Sequence, residues 1–281
     1  MIKITQEIID DVTEGFKIPS IPEVLLEVRR ICEDPESEIS QLAAIISKDI
    51  GLSAAILKTV NSSLYGMSRS ISDINQAVIL LGMGSVSTLI AGILIKQSFQ
   101  GKAAISFERL WDNATFVAEA MVFLGKNVDK KIPREDLYTT GLFHDCGIAA
   151  MSMRFSSTYL ETLLLANEDH SRSQVEHEND HHGSNHAVVG YFIASGWKLP
   201  KNIRQVILNH HEPDFLITSP SDDQRSIYAI LLIANNLVST IKRKKTIQGW
   251  DLVKEECFAQ LDIDEDKYKD LSEDLDMFWQ Q

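Results

Sequence analysis

Histidines are the residues of this sequence whose type and placement best suit chemistry. His144 is followed directly by Asp145, and His186, His210 and His211 come in two later segments. Neutral imidazoles together with a carboxylate suit borderline divalent metals such as zinc, manganese and iron. Two interpretations stay open for these five side chains: a shared metal site, or separate core histidines that are satisfied by hydrogen bonds.

Helical periodicity places these histidines on faces that enter the core. The helix that leads to His144 begins near Pro133, and the helix that leads to His210 begins at Pro200. His186 opens a third helix and shares its apolar face. Three segments that are distant in sequence therefore each direct an imidazole inward.

The remaining histidines lie in or beside a polar stretch. Residues 168–186 read EDHSRSQVEHENDHHGSNH and are predicted to form a loop or a frayed helix end. We expect His170, His177, His181 and His182 to be exposed to solvent. His177 and His181, four residues apart, would bind a metal only adventitiously.

Composition excludes several classes of function. The chain has 281 residues with 44% hydrophobic and 24% charged side chains, which is typical of a globular protein. A net charge of −13 argues against nucleic acid or an anionic membrane as a partner, because both need positive faces.

The three cysteines are far apart in the sequence and are predicted to be reduced thiols. Cys146 is predicted to be a small buried residue rather than a nucleophile.

One uncharged stretch is long enough to cross a bilayer. Asn75 to Ile95 carries no charge, and about 20 residues suffice to span the hydrocarbon core. Gly82-Met83-Gly84 interrupts the stretch, and the apolar positions on its two sides form two separate helical stripes. The sequence therefore predicts two buried helices joined by a tight turn, with Ser72 as the cap of the first.

Nearly every segment has helical periodicity, and no segment alternates like a strand, which predicts an all-α fold. The composition shifts at Gln100-Gly101-Lys102. We place a boundary there, with an N-terminal helical bundle over residues 1–101 and a larger helical domain with a C-terminal helix over 102–281. Cys146-Gly147 is expected to stop the helix that carries His144.

The segment from Ile18 to Met83 closely resembles the HDOD module, the HD-related output domain of bacterial signalling proteins. Its hallmark pairs are Ile21-Pro22, Asp34-Pro35, Lys48-Asp49, Asn61-Ser62 and Leu81-Gly82. Gly141 to Gly147 and His181 to Pro213 resemble the HD-domain phosphohydrolase superfamily. The resemblance runs from about residue 15 to 240 and implies an N-terminal bundle packed on an HD-like helical domain.

Active relatives in this superfamily, including HD-GYP cyclic-dinucleotide phosphodiesterases, hold two metal ions. Matched motif by motif, the resemblance implies metal ligands at His144, Asp145, His186, His210 and His211.

Three positions depart from the pattern of the active relatives. Asn113 stands where the leading histidine is expected, Asn235 where the closing aspartate is expected, and Ile148 where a lysine is usual. An amide oxygen is a weak neutral ligand, so one of the two metal positions should be weak or empty. Two ions stabilise both the attacking and the leaving oxygen, whereas a single ion supplies only half of this stabilisation. Hydrolysis is therefore disfavoured.

The resemblance therefore implies a bacterial, cytoplasmic signal-transduction output or scaffold module that is not an enzyme. We expect no cofactor or a single divalent metal (zinc, manganese or iron), a signalling protein as partner or a small ligand, and neither nucleic acid nor membrane. Two alternatives stay open. One is a metal-dependent phosphohydrolase of a nucleotide or cyclic dinucleotide with a reduced metal site, and the other is a sensor whose ligand occupies the HD-like cavity.

Overall fold

The computed structural model describes residues 2, 4–62, 69–169 and 171–280, and the regular elements within these ranges are all helices. The all-α prediction is confirmed. The helices are α1 (Gln6–Gly15), α2 (Glu23–Glu33), α3 (Ile39–Lys48), α4 (Ile50–Val60), α5 (Ile74–Leu81), α6 (Met83–Ser98), α7 (Phe107–Asn127), α8 (Arg134–Phe143), α9 (Cys146–Arg154), α10 (Tyr159–Glu168), α11 (Gln174–His182), α12 (His186–Gly196), α13 (Lys201–Asn209), α14 (Phe215–Thr218), α15 (Asp222–Arg243), α16 (Trp250–Leu261) and α17 (Glu265–Gln280).

The chain divides into two compact units, and the first of them is discontinuous. The main unit comprises Met1–Ile18 together with Phe99–Gln281, and the inserted unit comprises Pro19–Ser98. The sequence prediction had placed residues 1–18 with the N-terminal bundle. They belong to the main unit because Phe16 packs edge-on against Phe155 and beneath the guanidinium of Arg154, which lies 4.4 Å from its ring centre.

The inserted unit contains α2 to α6, and polar or glycine residues set its helix boundaries. Asp49 separates α3 from α4 and caps α4 by accepting a hydrogen bond from the backbone N–H of Leu52. Gly82, at φ +80°, separates α5 from α6 as predicted, because that backbone conformation favours glycine. The predicted cap at Ser72 is wrong: Asp73 is the N-cap of α5 and accepts from the backbone N–H of Asn75.

The length and hydropathy of the described helices show whether any of them could cross a bilayer. None of them alone is long and apolar enough to cross a bilayer. Two pairs pass by length and composition together, Ile39–Lys48 with Ile50–Val60 and Ile74–Leu81 with Met83–Ser98, and they are bent by 117° and 112°. The uncharged stretch from Asn75 to Ile95 is thus two helices, as the sequence predicted.

The main unit holds α7 to α17 as well as α1. Helix α8 packs closely along α7, since a side chain at Gly141 would lie 2.5 Å from the Cα atom of Ala118. Helix α9 packs on α12 through Gly147 and Gly190. These two close approaches bring the C-terminal end of α8 and the start of α9 beside the start of α12.

Candidate metal site

The five predicted ligands all lie at helix ends. His144 is the C-cap of α8, and Asp145 is the N-cap of α9 with φ −100° and ψ 11°, so the turn between the helices is very short. His186 is the first residue of α12, and His210 is the C-cap of α13 with His211 directly after it. Cys146-Gly147 does not stop a helix as predicted; Cys146 begins α9.

The structure brings all five residues together. The Nε2 atom of His186 lies 3.2 Å from Nε2 of His210 and 2.9 Å from Nε2 of His211. One carboxylate oxygen of Asp145 lies 3.6 Å from Nε2 of His186 and 3.5 Å from Nε2 of His210. The other lies 3.1 Å from Nε2 of His144. The imidazoles of His186, His210 and His211 form a compact potential ligand set for one metal ion.

In His144 and His210, a hydrogen bond at Nδ1 fixes the orientation of the ring and hence the direction of the lone pair on Nε2. Nδ1 of His144 lies 2.7 Å from the carbonyl oxygen of Gly141, and Nδ1 of His210 lies 2.7 Å from that of Ile207. A carbonyl only accepts, so we assign the proton to Nδ1 in both rings. Nε2 of His210 then presents a bare lone pair toward Nε2 of His186, 3.2 Å away, as a shared metal ion would require. The donor set therefore fits a divalent metal ion.

Sequence reasoning missed the residue that holds His186. The Glu178 carboxylate is fully buried and accepts hydrogen bonds from Nδ1 of His186 at 2.7 Å and from its backbone N–H at 2.8 Å. The sequence predicts a loop or a frayed helix end over residues 168–186, but the capping box of Ser173 and Glu176 starts the packed helix α11, and Gly183 ends it. That Ser-x-x-Glu spacing is the signal that could have revealed the helix.

Electrostatics favour the ligating protonation states of His210, His211 and Asp145, whereas His186 is held more readily in its charged form. Burial opposes a charge on His186, but the carboxylates of Glu178 and Asp145 outweigh it and raise its pKa. Burial, reinforced by the neighbouring imidazoles, lowers the pKa of His210 and lowers that of His211 further. Burial alone would raise the pKa of Asp145, yet His144 and the other imidazoles hold it well below its usual range. Two imidazoles are thus neutral and the carboxylate is ionised at neutral pH.

Among the described residues, neither asparagine makes a hydrogen bond with this cluster. Asn113 accepts a hydrogen bond of 2.7 Å from the guanidinium of Arg243. Asn235 lies within α15 and is half-buried, and its side chain makes no hydrogen bond with the described residues. Ile148, at the position where the resemblance implies a lysine, is buried in α9.

The other histidines depart in part from their predicted exposure. His177 is buried, with Nε2 at 3.3 Å from a carboxylate oxygen of Asp169, because α11 is a packed helix rather than a loop. His182 is half-buried against an aromatic ring, and His181 is exposed as predicted. His170 lies outside the described residues. The rings of His177 and His181 are 6.4 Å apart and do not form a metal cluster within the described part of the chain.

A cavity of about 610 Å³ adjoins the cluster at His211. Its apolar side includes Val12 and Val188, and its acidic groups are Glu176 and Glu212. Among the described residues that line it there is no lysine or arginine. The lining therefore offers no fixed positive charge to a phosphate group.

Comparison with known proteins identifies the family. Residues 18–213 match the profile of the HDOD domain, and the chain belongs to the HDOD domain family. An uncharacterized protein of Treponema pallidum (strain Nichols) is 30% identical over 201 residues, which are 69% of this chain and 37% of that protein. The chain thus spans well under half the length of this relative.

Two solved structures share the fold. A proposed phosphohydrolase from Shewanella amazonensis SB2B has a TM-score of 0.70 at 16% identity, over 98% of both chains. A proposed signal transduction protein from Marinobacter aquaeolei VT8 has a TM-score of 0.67 at 15% identity, over 99% of this chain and 61% of that one. At these identities the likeness concerns the fold alone.

Proposed function

We propose that this chain is a signal-transduction module of the HDOD type that holds one divalent metal ion and does not hydrolyse phosphodiesters. The observation that carries the proposal is the convergence of His186, His210 and His211 with the carboxylate of Asp145. Zinc, manganese and iron suit this mixture of imidazole nitrogen and carboxylate oxygen.

The number of side chains that can ligate a metal supports one ion rather than two. Three imidazole nitrogens and one carboxylate oxygen satisfy a single tetrahedral ion. Asn113 occupies the sequence position where the resemblance implies a further ligand, and its amide oxygen already accepts a hydrogen bond from Arg243. When bound, the ion supplies a fixed positive charge and Lewis acidity. The protein residues would hold it in place.

The charges around the cluster argue against phosphodiester hydrolysis. A phosphodiester needs positive groups that offset its own charge and the charge that develops in the transition state. Ile148 provides no such group, and the adjoining cavity carries the acids Glu176 and Glu212. A phosphate group entering beside His211 would therefore meet carboxylates.

The proposed output is the binding of a signalling protein partner in the bacterial cytoplasm. Membership of the HDOD family supports this, as does the shared fold with a protein proposed to act in signal transduction. The fold shared with a proposed phosphohydrolase keeps the hydrolase as the competing function.

Metal analysis combined with a hydrolysis assay tests the proposal. The protein is titrated with zinc and with manganese, and the bound metal is measured by mass spectrometry. Turnover of bis(p-nitrophenyl) phosphate and of a cyclic dinucleotide is measured on the loaded protein. We expect one equivalent of metal per chain, lost in Asp145→Ala, and no turnover above the protein-free rate. Two equivalents with turnover that disappears in Asp145→Ala would establish the hydrolase instead, and a protein that binds no metal would contradict the proposed site.

A further inference from the structure

We propose that Glu178 is a positioning residue of the metal site: it holds the ring of His186 so that Nε2 faces Asp145 and His210. The inference rests on the proposed function for the identity of the site. The hydrogen bonds that carry it can be tested without metal.

One carboxylate oxygen of Glu178 holds His186 at two points. It accepts the backbone N–H of His186 at 2.8 Å and Nδ1 of the ring at 2.7 Å. With the main chain and the ring anchored to the same atom, the rotation of the side chain is fixed. A carboxylate that accepts a hydrogen bond from the distal nitrogen of a metal-ligating histidine fixes the tautomer and orientation of the ring in this way.

The other oxygen of Glu178 is itself held in place. The hydroxyl of Tyr159 donates to it at 2.6 Å, and the side-chain amide of Gln174 donates at 2.9 Å. The carboxylate thus accepts four hydrogen bonds while it is fully buried, which uses the capacity of its two oxygens. A buried network in which every hydrogen-bonding group has a partner is rigid, so the carboxylate of Glu178 is held in one position.

The place of His186 in its helix explains why a side chain is needed here. His144 and His210 follow the ends of helices, and each bonds the carbonyl three residues earlier in its own helix, on Gly141 and Ile207. His186 is the first residue of α12 and follows Asn185 in extended conformation, so no helical turn precedes it to supply such a carbonyl. Glu178, from the neighbouring helix α11, takes over that role.

Metal affinity of Glu178 variants tests the inference. Glu178→Gln keeps the shape and a hydrogen-bond acceptor but removes the charge, and Glu178→Ala removes the acceptor. Asp180→Asn is the matched control, because Asp180 is an exposed acid on the same helix that pairs with Arg172. Affinity is measured for Zn²⁺ by competition with a chromophoric chelator, and the visible spectrum of the Co²⁺-loaded protein reports the number of nitrogen ligands.

We expect the affinity for Zn²⁺ to fall about 10-fold in Glu178→Gln and about 100-fold in Glu178→Ala, with a changed Co²⁺ spectrum in the latter. Asp180→Asn should stay within about twofold of the parent protein. If Glu178→Ala does not fold, the Zn²⁺ affinity of Glu178→Gln tests the inference alone. An affinity of Glu178→Gln within about twofold of the parent protein would overturn the inference.

A metal-free measurement separates this inference from the proposed function. Nitrogen NMR of the imidazoles, recorded at a pH at which the ring of His186 is neutral, reports which of its ring nitrogens carries the proton. We expect the proton on Nδ1 in the parent protein and a mixture of tautomers in Glu178→Ala. A parent protein that binds no metal but keeps this tautomer would refute the proposed function alone, whereas a proton on Nε2 in the parent would refute the role of Glu178.

Discussion

Gly147 lies directly against the backbone of His186. A Cβ atom at position 147 would overlap the carbonyl oxygen of His186 and would lie 2.8 Å from the amide nitrogen of Gly190. Helices α9 and α12 can therefore meet only because residue 147 has no side chain. The contact also places Asp145, two residues earlier, beside the imidazole of His186.

Gly147→Ala should accordingly weaken both the fold and the metal site. The methyl group has to push backbone rather than a mobile side chain, and overpacking of this kind costs about 1–3 kcal/mol or more. Urea unfolding should show this loss, and the affinity for Zn²⁺ should fall with it. Gly84→Ala is the control, since Gly84 is a helical glycine with open space at its Cβ position, and it should be neutral or slightly stabilising. Equal stability of the two variants would show that α9 and α12 are further apart than described.

Metal affinity should depend on pH through the protonation of His186. The nearby carboxylates raise the pKa of His186 above its ordinary value despite burial, so a proton competes with the ion there first. His210 and His211 have lowered pKa values, because burial disfavours their charged forms, and they compete only at lower pH. As pH falls through the raised pKa of His186, we expect affinity to fall about tenfold per pH unit for each proton displaced. Zn²⁺ titrations between pH 6 and 8.5 measure the slope, and a flat profile would contradict this assignment.

Asp136 should destabilise the protein at neutral pH. Burial, with Glu135 and Asp223 nearby, raises its pKa to about 6. In the unfolded chain the value is about 3.9, so between these values the folded state keeps a proton that the unfolded state has released. The free energy of unfolding therefore declines as pH rises through this window and stays lower above it.

Asp136→Asn removes this ionisation and should raise the free energy of unfolding at pH 7 by on the order of 1 kcal/mol, after allowance for partial solvent exposure and for the lost helix-dipole interaction. The gain should vanish near pH 4. Asp251→Asn, at an exposed acid in the first turn of α16, provides the comparison and should not gain stability. Denaturation curves at pH 4, 5, 6 and 7 check the trend, and a gain that is independent of pH would exclude the ionisation of Asp136 as its source.

The helices and the ligand histidines could be predicted because apolar periodicity and the prolines that begin helices are signals within short stretches of sequence. Pro133 and Pro200 begin the helices that end at His144 and His210, and the apolar face of α12 includes His186. How close their nitrogens approach depends on contacts between helices, such as Gly147 against His186, that no local pattern reveals.

The polar helix α11 shows why the rest could not be predicted. Its buried residues are Val175, His177 and Glu178, so two of the three side chains that face the interior are polar. Periodicity of apolar residues does not detect such a face. The burial of Glu178 depends on donors from Tyr159 and His186, which lie 19 residues earlier and 8 residues later in the chain.

Synthesis order gives the discontinuous main unit a timing constraint. Residues 6–15 leave the ribosome on the order of ten seconds before Arg154 and Phe155 at ordinary translation rates. The whole of the inserted unit, Pro19–Ser98, is made in that interval. Phe16 has to wait, unpaired, until the aromatic ring and guanidinium that enclose it have been translated. The nascent chain therefore contains the whole of the inserted unit before the unit that carries the histidines is complete.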